Sequence, residues 1–483
     1  MMNTIDKKKY IHALIGIMIM FGFGLLPAPA PITQIGMQIT GIFLGLLYLW
    51  STSGYIWTSM LGLLALVWFE YAPLGAVISG SLGNPIAFII VFILVFLGAI
   101  DDAGITQALS KWFVTRKIIN GHPWIFTFII LFATYILSIL TNCVLIILLM
   151  WGILYKISDI LKIPAGDKYI STMLLGIIYA GCAGAVFFPF KDGGLMISGT
   201  YTAMSSGGIM PQGAYMSLQF ILSLAGILGF MLLMKVIFRV DLTAIKTISS
   251  DMFMDQNALP LSRFQKMMAF ILAAMIGFIL LTLVLPKDWW LARKLSILSP
   301  MGIIILFFCL VSIIRKDGKP IVNFQEMAKT KVTWDIYFLV ASATYVSSAL
   351  VADVTGVKEF LSISLNPIFS GMSAFGFMAT IVLGTLILTN LANNGVVAII
   401  FLTIASIFCG QFDTVSLAGL AALIGWVYNL AFLLPASSFA GAMLYGNEKW
   451  ITPKEIIKYS IPTIIMLCLV VLLLGIPLAN TLF

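Results

Sequence analysis

The chain has 483 residues, of which 61% are hydrophobic and only 10% are charged. Soluble domains carry roughly 25% charged residues, so this composition excludes a soluble protein. Long apolar runs predict an all-α integral membrane protein, because a membrane β-barrel would show short alternating segments. The net charge of +8 comes from residues between the apolar runs and does not indicate nucleic-acid binding. The five cysteines are scattered without metal-ligand spacing, so no disulfide, zinc or haem site is favoured.

Eleven apolar runs are long enough to span a membrane. They lie near 10–27, 34–50, 55–70, 85–100, 168–190, 213–238, 263–285, 296–314, 331–352, 414–434 and 457–482. The first run follows three lysines and is similar to a signal peptide, but we keep it as a span because the topology then closes. The more polar segment 101–118 is predicted to be an interfacial amphipathic helix.

Positive residues mark cytoplasmic loops, and Lys7-Lys8-Lys9 therefore place the N-terminus in the cytoplasm. Later basic stretches lie at the positions where the chain should again be inside. The one exception is the basic stretch 287–294, which is predicted to be outside. Two further apolar segments, 122–160 and 369–411, each begin and end on one side. They fit two re-entrant hairpins of opposite orientation. A pair of full spans would also enter and leave on the same side of the membrane, so the charges do not distinguish the two.

Each hairpin carries a polar cluster in its middle. These are Thr141-Asn142-Cys143 in the first hairpin and the run from Leu388 to Gly395 in the second. A buried amide without partners costs several kcal/mol in hydrocarbon, so such residues survive where they face a site or another helix. Each hairpin is followed by a span that ends in a glycine- or proline-rich run, at 181–194 and at 435–441, where a helix cannot continue.

Opposed hairpins and broken helices recur in secondary transporters with a central substrate site. Helix N-termini attract anions, and unwound carbonyls can hold a cation. The alternative is that Asn142, Asn393 and Asn394 only join helices. The matched clusters in both halves favour the binding site.

At these residues the chain resembles the divalent-anion:sodium symporter (DASS, INDY-like) family of di/tricarboxylate and sulfate transporters. Family members carry Ser-Asn-Thr at each hairpin tip. Asn142 and Asn394 take the place of the family asparagine, and Ser438 takes that of a threonine in the second break. Cys143 and Gly395 replace tip threonines, and neither break keeps the Pro-Pro of the family.

The resemblance implies an inverted-repeat homodimer in the cell (inner or plasma) membrane, in which a mobile unit moves as an elevator. The scaffold would comprise 1–120 and 241–366, and the two halves of the transport unit 121–240 and 367–483. The partners would be a small anionic substrate, membrane lipid and a second copy, with no organic cofactor and with Na+ as the candidate coupling ion. The implied substrate-binding residues are Thr141, Asn142, Cys143, Asn393, Asn394, Gly395 and Ser438. The implied cation-site residues are Ser138, Gly184, Lys191, Asp192, Thr389 and Ser437.

The pair Lys191-Asp192 stands where the first break should help to hold sodium. One hypothesis is that the Lys191 ammonium is a tethered cation, which would make one sodium unnecessary. The other is that the two residues pair with each other near the outer end of a span. A sodium- or proton-coupled oxyanion or sulfate permease and a cation/proton antiporter remain alternative functions. A membrane-embedded enzyme is disfavoured because no cluster of His, Asp or Glu is present.

Overall fold

The computed structural model describes residues 4–114, 117–205, 208–248, 262–284, 289–316, 318–369, 371–435 and 437–483. Arg116 and Lys287, two charges that enter the predicted topology, lie outside these ranges. Within the ranges, the chain forms 22 α-helices and one short antiparallel pair of strands, β1 (Arg315–Lys316) and β2 (Lys319–Pro320). The helices are α1 (Thr4–Gly22), α2 (Gln34–Thr52), α3 (Ile56–Trp68), α4 (Leu74–Gly80), α5 (Pro85–Asp102), α6 (Ile105–Val114), α7 (Pro123–Leu140), α8 (Cys143–Ile160), α9 (Lys168–Ala185), α10 (Asp192–Met204), α11 (Gln212–Leu233), α12 (Arg263–Val284), α13 (Trp290–Ile313), α14 (Phe324–Thr330), α15 (Trp334–Leu350), α16 (Val357–Phe369), α17 (Ala374–Thr389), α18 (Asn394–Phe408), α19 (Leu417–Val427), α20 (Phe439–Tyr445), α21 (Pro453–Val470) and α22 (Ile476–Leu482).

Eight helices of the described chain are long and apolar enough to cross a membrane, and a bent pair formed by α16 and α17 would make a ninth. Shorter apolar helices, among them α3 and α19, lie in other predicted spans. The all-α membrane class is therefore confirmed. Both α7 and α8 have 18 residues, which is about 27 Å of helix. The arms of the first hairpin are thus nearly as long as full spans.

The same order of elements occurs twice in the chain. The hairpin α7–α8 is followed by α9, a break, α10 and α11, and the hairpin α17–α18 is followed by α19, a break, α20 and α21. The predicted spans 168–190 and 414–434 end as helices at Ala185 and Val427, before Pro189 and Pro435 respectively. A proline ring clashes with the carbonyl four residues before it, which accounts for the end of α9 at Ala185. Helix α19 ends eight residues before Pro435, so that proline does not by itself set its end.

The buried apolar side chains form two clusters. The smaller one joins mainly α1, α2, α3 and α15, with single residues from α4 (Val77), α16 (Val357) and the second hairpin (Ile399 of α18). The larger cluster joins α5 and most of the remaining helices, including both hairpins and the helices that follow them. Helix α6 covers most of the segment predicted to be an interfacial helix, and it packs on α5 and α7.

The first hairpin and the first broken helix pack closely through a glycine. A Cβ atom at Gly184 of α9 would lie 2.4 Å from the main-chain oxygen of Tyr135 in α7. The contact is with backbone, which cannot rotate away. Only glycine therefore lets α9 approach α7 at this point, which is next to the hairpin tip.

We expect Gly184→Ala to lower the stability of the folded protein by about 1–3 kcal/mol, because the new methyl group forces two packed helices apart. The control is Gly152→Ala in α8, where an added Cβ meets no atom within 4 Å. Thermal unfolding of the detergent-solubilised protein measures both changes. Equal midpoints for the two variants would show that the close approach is not needed.

Candidate functional site

At the first hairpin tip, an exposed asparagine caps the helix that follows. Asn142 precedes α8, and its Oδ1 accepts hydrogen bonds from the main-chain N–H groups of Val144 and Leu145, at 2.9 and 3.3 Å. Such a cap contributes about 1 kcal/mol to a helix. The Asn142 side chain is exposed, while Thr141 and Cys143 on either side are buried. The Thr141 hydroxyl donates to Leu137 O inside the tip. The cap uses the Oδ1 of Asn142 and does not engage its amide NH2.

Lys191 enters this tip from the first break. Its side chain is only 3% exposed, and its Nζ donates to the main-chain oxygens of Ser138 and Thr141, at 3.0 and 2.8 Å. It also donates to Asp192 Oδ2 at 2.7 Å. The ammonium thus lies at the C-terminal carbonyls of α7, the negative end of the helix dipole. Lys191 thus pairs with Asp192 and also binds two carbonyl oxygens of the tip, and both hypotheses for the pair stay predictions.

The second hairpin tip has its cap one residue earlier than the family alignment of Asn394 suggests. Asn393 is the N-cap of α18, and its Oδ1 accepts from Val396 N at 3.2 Å. Its Nδ2 donates to the hydroxyl of Tyr55, next to α3, at 3.1 Å. Asn394 begins the helix, and its main-chain N–H donates to Ser437 O at 3.0 Å. The second tip is therefore bound both to the second break and to a helix of the smaller core.

The second break is held by serines at its C-terminal end. Ser437 donates to Leu434 O at 2.6 Å. Ser438 is the N-cap of α20 and accepts from the N–H groups of Ala440 and Gly441, at 3.0 and 3.3 Å. Because the Ser438 hydroxyl also donates to Ala431 O, the break is fixed by its own side chains.

Asn390 is a residue whose role the sequence analysis missed. It is 1% exposed, and its Nδ2 donates to Leu386 O and Leu430 O at 3.0 and 2.9 Å. Its Oδ1 accepts from the N–H groups of Phe432 and Leu433, at 3.0 and 3.1 Å. The amide thus joins the end of α17 to the unwound chain after α19. The polar run 388–395 was the available signal, but the partners are main-chain atoms about 40 residues away.

A second amide and a threonine support the same junction. Thr389 donates to Tyr428 O at 2.8 Å, and Asn429 donates to Cys182 O at 2.7 Å. Cys182 lies in α9, so Asn429 connects the broken helices of the two halves directly. The predicted cation-site residue Thr389 is therefore already engaged with the chain.

The two tips lie against the same helix. Lys191, just before α10, contacts the first tip, and a Cβ atom at Gly395 of the second tip would lie 3.6 Å from Met196 Sδ in α10. Met196 lies five positions after Lys191, which is about 7.5 Å along a helix. Near them, a Cβ atom at Gly193 would lie 1.8 Å from the Tyr428 hydroxyl. The start of α10 is therefore where both halves meet.

A cavity of about 290 Å³ opens beside the first tip. Its lining includes Asn142, Lys191 and Asp192, together with Asp101 of α5 and Lys331. Lys331 forms an ion pair with Asp102 and lies 4.0 Å from Asp101 Oδ2. The volume is close to the lower limit of about 300 Å³ for small-molecule sites. Of the predicted site residues, Asn142, Lys191 and Asp192 alone line this cavity.

A second cavity of about 290 Å³ lies at the other end of α10. Met204 at the end of α10 lines it, together with Val351 after α15 and Ser406 of α18. Helix α10 packs against α15, and the first cavity includes Thr333, just before α15. The α10–α15 contact therefore runs between two cavities, which open at its two ends.

The sequence profile of the citrate transporter family, CitMHS, matches residues 45–425. The chain belongs to the citrate transporter family. Among solved structures, the chain is similar to the Alcanivorax borkumensis YdaH transporter, with 12% identity over 86% of this chain and 88% of that chain and a TM-score of 0.53. At this identity the likeness shows a shared fold. No protein of curated function matches the chain. The predicted resemblance to anion transporters of this kind is confirmed, and the family is one of transporters.

We expect Asn390→Ala to lower the stability of this family member by about 2–4 kcal/mol, because buried main-chain donors and acceptors lose their partners. The matched control is Asn394→Ala, since the Asn394 side chain accepts only from the adjacent Gly395 N–H, at 2.8 Å. Thermal unfolding in detergent compares the two variants. A control that is as unstable as Asn390→Ala would contradict the assignment of the junction to Asn390.

Proposed function

We propose that the protein is a secondary active transporter of small organic anions, with di- and tricarboxylates as substrates. The observation that carries the proposal is the cavity between Asn142, Lys191 and Lys331 in a chain of the citrate transporter family. The Asn142 amide and the Lys331 ammonium supply N–H donors suited to carboxylate oxygens. The Lys191 ammonium already donates to Ser138 O, Thr141 O and Asp192 Oδ2, so it contributes positive charge and not a free donor. Asn393, Asn394, Gly395 and Ser438 at the second tip are proposed as the remaining contacts, reached from the α10 side.

Transport is proposed to follow an elevator mechanism. The mobile unit would carry both hairpins and α9–α11 and α19–α22, and it would slide along α15. Both contacting helices are rich in small buried residues, which allow close and smooth approach in membranes. These are Gly194, Ser198 and Gly199 in α10, and Ala341, Ser342, Ala343 and Ser347 in α15. The two cavities at the ends of this contact would be the alternately open sides.

The basic loops support a position in the cell membrane with a cytoplasmic N-terminus. Lys331 and Asp101 belong to loops or helix ends predicted to be inside, so the first cavity would open to the cytoplasm. The smaller cluster, mainly α1, α2, α3 and α15, is proposed as the fixed scaffold against which the mobile unit slides. Assembly as a homodimer is part of the proposal and rests on the family resemblance.

A second candidate function is cation/proton antiport. The observation in its favour is that two carboxylates, Asp101 and Asp192, line the same cavity, and buried carboxylates are typical proton carriers. The anion proposal is preferred because each of these carboxylates has a lysine beside it and because the family is one of citrate transporters.

Counterflow in proteoliposomes tests the proposal. Vesicles loaded with unlabelled citrate are expected to accumulate labelled citrate and succinate, with sulfate as the oxyanion arm. Exchange of sulfate alone would favour the oxyanion permease. Proton release driven by Na+ or K+ without any anion exchange would favour the antiporter and would overturn the anion proposal.

A lysine variant tests whether the cavity receives the anion. We expect Lys331→Met to raise the KM for citrate about 3- to 10-fold, because a partly solvated charge contact is worth about 1 kcal/mol and the freed carboxylates then repel the substrate. The control Lys454→Met removes the same charge from an exposed position in α21. An unchanged KM for Lys331→Met would place the anion elsewhere.

A further inference from the structure

The first arms of both hairpins end in the same way. In each case a side-chain N–H group joins a main-chain oxygen near the C-terminal end of the arm to a second main-chain oxygen, which belongs to the tip in the first half and to the break in the second. In the first half Lys191 Nζ joins Ser138 O and Thr141 O. In the second half Asn390 Nδ2 joins Leu386 O of α17 and Leu430 O of the break.

These are the positions at which a transporter with broken helices would bind a metal cation. Helix C-termini and unwound carbonyls provide the oxygen ligands of such sites. An ammonium group binds the same carbonyl oxygens as a sodium ion and supplies the same charge. An amide NH2 group fills the same space without a net charge.

We propose that Lys191 and Asn390 occupy the two cation positions of the hairpins, so that anion transport by this chain does not use Na+. The occupancy is read from the contacts, while the consequence for transport rests on the proposed function. A side chain cannot leave the protein with the substrate. The fixed ammonium therefore supplies charge for the site but draws no energy from a sodium gradient.

The surroundings of Lys191 support a permanent occupant. The ammonium is buried, it has two carbonyl oxygens and the Asp192 carboxylate as partners, and all three contacts are at 3.0 Å or less. A buried charge with this set of partners is costly to withdraw. Nearby, Ser138 Oγ is buried and makes no hydrogen bond within the described residues. If the ammonium were removed, three oxygens of Ser138 and Thr141 would be available for a small cation.

The first experiment measures citrate counterflow by the wild-type protein in sodium chloride and in choline chloride of equal ionic strength. The expected rates agree within about 2-fold, which is less than 0.5 kcal/mol in activation free energy. A loss of activity of about 10-fold or more without sodium would overturn the inference and leave the proposed function intact. The absence of citrate, succinate or sulfate exchange in any medium would instead overturn the proposed function.

Two variants of Lys191 distinguish the effect of losing the ammonium charge from the effect of opening the space that the side chain fills. Lys191→Ala is expected to lose about 10-fold or more of its counterflow in choline and to regain activity in sodium, because the vacated oxygens can then bind the ion. Lys191→Met fills the same space without charge, so its loss is expected in both media. Lys454→Met, the exposed-charge control, is expected to behave like the wild type. Sodium rescue of Lys191→Met as large as that of Lys191→Ala would contradict the assignment.

A binding readout keeps the inference testable without transport. A ligand that binds only the folded state raises the unfolding temperature, so added sodium, compared with choline, should raise the Tm of Lys191→Ala and leave that of the wild type unchanged. A sodium-dependent rise in the wild-type Tm would overturn the inference. If Lys191→Ala does not fold, this wild-type measurement and Lys191→Met still decide the matter.

Discussion

Backbone groups that leave a helix inside a bilayer need partners within the protein, because no water is available there. This requirement governs both halves of the structure. Each half interrupts two helices near its hairpin tip, and each interruption exposes main-chain oxygens and N–H groups. Asn390 meets the largest part of this demand, with four hydrogen bonds to main-chain atoms. Lys191 binds two main-chain oxygens and the Asp192 carboxylate.

The same constraint decides which side chains are free for a ligand. Thr141, Thr389, Ser437 and Ser438 donate their hydroxyl protons to the main chain, so their first role is to hold the breaks. Asn142 caps α8 with its oxygen, and the cap does not engage its NH2 group. Hydrogen bonds to the main chain therefore hold the tips and breaks in place, and few of their side-chain groups are available to bind substrate. This arrangement suits a carrier that moves its site as one body.

The sequence was sufficient to predict the membrane class, both hairpins and both breaks. Hydrophobic runs and misplaced amides report directly on burial, and Pro189 and Pro435 lie in the breaks that follow α9 and α19. The role of Asn390 was not predictable, because its partners are main-chain atoms that no residue pattern reveals. The choice of Asn393 over Asn394 as the cap depends on the main-chain geometry of one turn. Lys331 was read only as a loop charge, since its place in the same cavity as Lys191 depends on the packing of α5 against α10, α14 and α15.

The central claim is that one anion binds at the start of α10, where the two halves meet. A cryo-EM reconstruction of the protein in lipid nanodiscs with citrate and without sodium tests this claim most directly. The account predicts citrate density between Asn142 and Lys331, with Lys191 still on the carbonyl oxygens of the first tip. Citrate density remote from both tips, or Lys191 displaced from those oxygens, would contradict it.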